Sequence, residues 1–195
     1  MEVFCYDVVV STQKVIIIHG NGGATGTDHW LPSVKWALEK EGLKVITETM
    51  PDNVLAREKY WLPFLKDKLH ADKNTILVGH SSGAVAAMRY AENNKIYGSV
   101  LVGACHTDLG MKEERIAGYY NRPWQWDKIK ASQNWIIQFH STDDPFIPVD
   151  EARYVHKRLN SEYTEATDEG HYGGGGREKL QFPELISAIK KKLKL

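Results

Sequence analysis

The chain has 195 residues, with 25 Lys+Arg against 25 Asp+Glu and a formal net charge of +0. That length suits one domain with a substantial core, and the charge balance leaves no cationic surplus for a nucleic acid or an anionic membrane. Only two cysteines occur, Cys5 and Cys105, without metal-ligand spacing, which points to a reducing compartment, or at least to no disulfide framework. No apolar run approaches the ~18 residues of a membrane span. The first residues carry Glu2 and Asp7 and lack a basic start, so they do not read as a signal peptide. The expected location is cytoplasmic, with nuclear residence compatible.

Strand and helix signals alternate along the whole length. Residues 14–19 form an apolar strand that stops at Gly20-Asn21-Gly22-Gly23. The next segment, 28–41, predicts a helix with Trp30, Val34, Ala37 and Leu38 on one face and Gly42 ending it. A strand over 43–49 follows, then a helix over 57–70 that Pro63 starts or kinks. Residues 75–78 are an apolar strand and the Ala-rich 84–92 a helix. Further strands fall at 97–103, 135–140 and 163–167. Helices are expected at 124–131, at 150–159 with Ala152, Val155 and Leu159 inward, and from Pro183 onward, with Leu185, Ile186, Ile189 and Leu193 at 3.6 spacing. The Lys190, Lys191, Lys192, Lys194 cluster suits the end of that last helix, where cations complement the macrodipole.

Strands that are apolar throughout, alternating with amphipathic helices, imply a parallel sheet of about six strands covered on both faces. No linker, repeat or low-complexity segment divides the chain. Ligands in such sheets bind beyond the carboxyl ends of the strands. Chemistry is therefore expected on the loops after residues 19, 78, 103, 140 and 167.

Between the strand at 75–78 and the helix at 84–92 lies Gly79-His80-Ser81-Ser82-Gly83. Strand, G-x-S-x-G, helix is the context of a nucleophile elbow, in which a strained serine projects its Oγ above the sheet. A serine hydroxyl needs a base, usually a histidine oriented by a carboxylate. In α/β-hydrolases the chain order is Ser, then acid, then His. Ser141-Thr142-Asp143-Asp144-Pro145-Phe146-Ile147-Pro148 resembles the D-x-x-V-P loop of that superfamily, and aligning Pro148 selects Asp144, with Asp143 as competitor. Asp168-Glu169-Gly170-His171 supplies the base, His171, just ahead of the final helix. His106, on a loop at the same end, is a rival base. His80 is expected to pack under the turn, and His29, His70, His140 and His156 carry no assigned chemistry. Histidine spacing gives no zinc site, so no metal is expected.

The developing oxyanion needs backbone donors. One is the N–H of Ser82, after the nucleophile; the other belongs to the loop after the first strand, where Asn21 is selected. Gly20, Gly22 and Gly26 also read as a dinucleotide loop, but that reading leaves the elbow, Asp144 and His171 without a role.

The chain resembles the small serine hydrolases of the retinoblastoma-binding protein 9 family. The resemblance runs from residue 14 to the C-terminus. It is carried by Gly20-Asn21-Gly22-Gly23, Met50-Pro51-Asp52, Ala56-Arg57-Glu58, Trp61-Leu62-Pro63-Phe64, residues 79–92, Arg122-Pro123-Trp124-Gln125-Trp126 and residues 141–148. It implies a single α/β-hydrolase domain over 1–195, without a large cap, and a Ser-His-Asp hydrolase that uses no cofactor. It also implies Ser81 as nucleophile, Asp144 as acid and His171 as base. Retinoblastoma-protein binding does not transfer, because the L-x-C-x-E stretch reads Leu69-His70-Ala71-Asp72-Lys73 here. Residues 1–13 look like an N-terminal extension in which 8–10 either add an edge strand or stay loose. Gly173-Gly174-Gly175-Gly176 looks like a flexible insert able to loosen the loop of His171.

Tyr119, Trp124 and Trp126 are candidate substrate-binding residues, either as a small aromatic lid over the serine or as rings packed onto the sheet. Aromatic walls favour hydrophobic acyl or amine groups. The family resemblance points to small carboxylic esters or amides, including aminoacyl ones and aminopeptidase-like cleavage. The alternative is a non-catalytic protein-binding module on the same scaffold.

Overall fold

The computed structural model describes residues 13–195; the possible edge strand at 8–10 lies outside the described residues. A six-stranded sheet has the order β2-β1-β3-β4-β5-β6. Its strands are β1 (Lys14–Ile18), β2 (Lys44–Ile46), β3 (Thr75–His80), β4 (Gly98–Val102), β5 (Ile136–Ser141) and β6 (Glu162–Ala166). Every pairing is parallel, with Ile18 opposite Gly79 and His80 opposite Val102. All six central positions of β3 and all five of β4 are buried, as an inner parallel strand requires. β2 is shorter than its apolar stretch suggested, because residues 47–50 leave the ladder.

Side chains alternate between two apolar layers. Ile16, Ile18, Leu77 and Leu101 face one cluster, which receives α2 (Glu58–Pro63), α3 (Ser82–Ala91), α5 (Trp126–Ala131) and α6 (Val149–Leu159). Val15, Ile17, Ile76, Val78, Val100 and Val102 face the other, which receives α1 (Leu31–Lys40) and α7 (Pro183–Leu193). Helices thus cover both faces, and no cap domain is present among the described residues. None of the described helices is long and apolar enough to cross a membrane.

Two local departures have physical causes. The helix expected over 57–70 runs as α2 and then widens into a π-helical turn at Phe64–Lys68, with the Leu69 N–H donating to the Phe64 carbonyl at 2.9 Å. Pro63 lacks an N–H and crowds the preceding turn, so regular i→i−4 bonding is interrupted there. The second is α4 (Lys112–Ala117), a short helix that the sequence pattern did not announce. Its Lys-Glu-Glu-Arg stretch carries no apolar stripe, and Ile116 is 47% exposed.

Candidate active site

Ser81 occupies the sharp turn between β3 and α3 with φ 55 and ψ −121. A non-glycine residue there stores about 1–3 kcal/mol of strain, which the surroundings hold in place: the Ser81 N–H donates to the Val102 carbonyl at 2.8 Å. The glycines of the pentapeptide serve close approach rather than dihedral freedom, since neither has a positive φ. A Cβ on Gly79 would enter the Gly83 carbonyl, and one on Gly83 would enter the Ile18 carbonyl of β1. Across the turn, a Cβ on Gly20 would lie 3.3 Å from Ser81 Cβ and 3.8 Å from its Oγ. The loop after β1 therefore borders the serine side chain.

Beyond β5, Asp144 and His171 meet. His171 Nδ1 lies 2.7 Å from Asp144 Oδ2. Because a carboxylate only accepts, Nδ1 carries the proton, which in a neutral ring leaves the lone pair on Nε2. The other Asp144 oxygen, Oδ1, accepts from the Phe146 and Ile147 N–H groups at 2.9 and 3.0 Å. Burial pushes this carboxyl up, but the His171 hydrogen bond and charge and the two N–H groups outweigh it, so it titrates below the usual range.

The neighbouring Asp143 does something else. Its Oδ1 accepts from the Ser141 hydroxyl at 2.5 Å and the Gly170 N–H at 2.8 Å, while Ser141 Oγ accepts from the Glu169 N–H at 3.0 Å. Arg177 approaches its Oδ2 at 3.1 Å. Asp143 thus pins the loop that presents His171, and Asp144 faces the imidazole. Gly103 (φ +61) leaves the ring room: a Cβ there would lie 3.2 Å from His171 Cε1.

Several other histidines are structural. His80, directly before Ser81, donates from Nε2 to the His171 carbonyl at 2.7 Å, and their ring centroids are 4.9 Å apart. Burial holds it neutral, with its pKa pulled down to about 3. The residue preceding the serine is thereby tied to the backbone of the histidine. His19 accepts from the Met50 N–H at 2.8 Å and contacts the Gly20 carbonyl at 2.6 Å, and burial lowers its pKa. His140, assigned no chemistry from sequence, is buried with Nε2 at 3.0 Å from the Ile147 carbonyl and 4.0 Å from Asp144 Oδ2. Burial again lowers its pKa. His106, the rival base, is engaged elsewhere: Nδ1 lies 2.6 Å from Glu151 and the ring stacks on Tyr154 at 4.0 Å.

Ser82 opens α3, so its N–H has no acceptor within the helix. The Asn21 side-chain amide donates to Glu114 Oε1 at 2.7 Å, so the side chain is engaged on α4. Glu114 on α4 was missed from sequence, as was α4 itself. Burial raises its pKa, while hydrogen bonds from Asn21 and the Tyr120 hydroxyl oppose the shift. Tyr120 in turn lies 3.0 Å from the buried, free thiol of Cys105.

The aromatic segment packs onto the body of the protein. Tyr119 is 0% exposed, so it presents no face to a substrate, and its place as a direct substrate contact is corrected. Its carbonyl accepts from Arg89, whose guanidinium also lies 3.6 Å over the Trp124 ring. Trp124 donates to the His106 carbonyl at 2.8 Å and stacks on Trp126 at 5.3 Å, and Trp126 meets Tyr154 edge-on. The two tryptophans thus pack against Arg89, His106, Tyr154 and each other. Besides His80, the ring that meets the base is Phe146, in a T-shaped contact with the His171 ring at 5.1 Å. The glycine run, residues 173–176, takes a left-handed backbone throughout. All four residues have φ between +62 and +112. A Cβ on Gly173 would strike the His29 ring, so the backbone is fitted against a neighbour.

A protein-family model described as serine hydrolase matches residues 15–176. Serine hydrolase RBBP9 of Rattus norvegicus is 46% identical over 187 residues, covering 95% of this chain and 98% of its own. Among solved structures, the ydeN gene product of B. subtilis superposes with a TM-score of 0.85 at 24% identity, covering 94% of this chain and all 100% of that one. Est1E from Butyrivibrio proteoclasticus, solved with ferulic acid bound, gives 0.73 at 15% identity, covering 94% and 89%. At those identities the two structures speak to the fold, an α/β-hydrolase one. The chain belongs to the serine hydrolase family.

Proposed function

We propose that the protein hydrolyses small carboxylic esters or amides, aminoacyl ones included, through an acyl-enzyme on Ser81. The observation that carries this reading is the 2.7 Å contact between His171 Nδ1 and Asp144, on a loop bonded to the residue before the strained serine. With Nδ1 held by the acid, Nε2 is the nitrogen free to take the Ser81 proton. Ser81 Oγ adds to the substrate carbonyl carbon, and the oxygen that becomes negative meets the N–H groups of Ser82 and Asn21. His171 then gives its proton to the departing alcohol or amine as the bond to carbon breaks. Water repeats the sequence on the acyl-enzyme and releases the carboxylic acid, so one ester and one water yield one acid and one alcohol. The protein's own groups suffice for these steps, and no cofactor is invoked.

Turnover of p-nitrophenyl acetate tests this reading. Ser81→Ala and His171→Ala are each expected to lower kcat by about 10⁴-fold or more. Wild-type rates in the Ser81 variant would reject the assignment. A screen of aminoacyl amides against short esters then places the acyl preference.

A further inference from the structure

Phe146 has a solvent-facing ring where a hydrophobic side chain gains little by being exposed. It is 47% exposed, yet its backbone is fixed, because its N–H donates to Asp144 Oδ1 at 2.9 Å. One edge of the ring meets the His171 imidazole at 5.1 Å, with the planes at 81°. The glycine run closes another side: a Cβ on Gly175 would lie 3.0 Å from Phe146 Cε2 and 2.9 Å from Pro145 Cγ. Acid, base and glycine loop together hold this ring, and its remaining surface is open.

From this juxtaposition we propose that Phe146 is a specificity-determining wall for the leaving group, selecting esters and amides whose alcohol or amine is apolar, benzyl-like rather than ethyl-like. The proposal rests on Ser81 as nucleophile and His171 as base. In acylation the C–O bond to the leaving group breaks as His171 Nε2 hands it a proton, and that oxygen must come within about 2.6–3.2 Å of the nitrogen. The carbons attached to it then begin beside the imidazole that Phe146 borders. Once the alcohol departs, the acyl group on Ser81 no longer reports on this wall. The ring is thereby placed to act on leaving-group choice in the acylation step. A flat apolar group laid on it gains an aromatic contact as well as burial. A small alkyl leaving group gains little.

The test holds the acyl group constant. The ratio of kcat/KM for benzyl acetate over ethyl acetate is measured in wild type, Phe146→Ala and Phe146→Leu. The ratio is expected to fall about tenfold in Phe146→Ala and to recover most of that loss in Phe146→Leu. An unchanged ratio overturns the proposal, including the case in which both esters slow equally, which would make the ring a support for His171. Fluorophosphonate labelling of the same preparations distinguishes loss of the leaving-group wall from loss of the Ser81 nucleophile. If wild type labels at Ser81 and the ratio does not move, only the leaving-group wall is lost. If wild type neither labels nor turns over either ester, the Ser81 reading fails and this one with it.

Discussion

Two adjacent carboxylates at the end of β5 do different work, and substitution separates them. Asp144→Asn keeps the shape but takes away the acceptor that fixes the Nδ1 proton of His171, so kcat is expected to drop about 10⁴-fold. Asp143→Asn disturbs the bonds to Ser141 Oγ and the Gly170 N–H. It loosens the base loop without touching the imidazole, and a loss below about tenfold is expected. Steady-state kinetics on one ester checks both; equal losses would mean that both carboxylates orient the base. The sequence distinguished them only by register against Pro148, and the coordinates supply the reason, since the two side chains point to opposite partners. The turns that carry Ser81 and Asp144 stood out in the sequence as glycine- and proline-marked breaks after apolar strands, whereas that of His171 stood out only by Gly170, since β6 before it is polar and largely exposed. Phe146 and Glu114 were not. Their significance comes from contacts across 25 and 93 residues of chain, with His171 and Asn21, and no local pattern announces such a contact.

Among the elements, β3 and α3 illustrate how backbone proximity fixes composition. All ten residues of α3 are buried, so the helix has no solvent face on which strain is relieved. Gly83→Ala would push a methyl group into the Ile18 carbonyl of β1. Because the obstacle is backbone, the cost is expected near the upper end for overpacking, about 3 kcal/mol. For a domain of this size that is roughly 6–12 °C in Tm, measurable by thermal unfolding. A variant as stable as wild type would show that α3 is free to move away from the sheet. Strands and long helices were readable from apolar runs and 3.6 periodicity, with boundaries displaced by a few residues. The misses have local causes: Pro63 widens α2 into a π-helical turn, and α4 has too few apolar residues to register as a helix.

Across the whole molecule, buried neutral histidines set the response to acid. His80, His19 and His140 all have lowered pKa values, with burial the largest cause, His80 down to about 3. Above about pH 6.5, the ordinary histidine value, neither the folded nor the unfolded chain binds the His80 proton. Between about 6.5 and about 3 the unfolded chain binds it and the folded one does not, so stability falls as pH falls, by about 1.4 kcal/mol per pH unit for His80. His19 and His140 add in the same direction. Asp144 enters at lower pH, where protonation through its depressed pKa removes the stability that its hydrogen bonds supply. Urea midpoints at pH 7, 6 and 5 are expected to decline, and His80→Gln is expected to flatten the slope by about one proton. A flat profile in wild type would mean that these rings take up protons without unfolding.

On the proposed reading, Ser81 alone among the serines is made nucleophilic by His171. Labelling with a fluorophosphonate probe, followed by peptide mapping, tests it most directly. Covalent probe on Ser81 in wild type, absent from Ser81→Ala and largely retained in Ser82→Ala, is the predicted result. Strong labelling that survives in Ser81→Ala would contradict it.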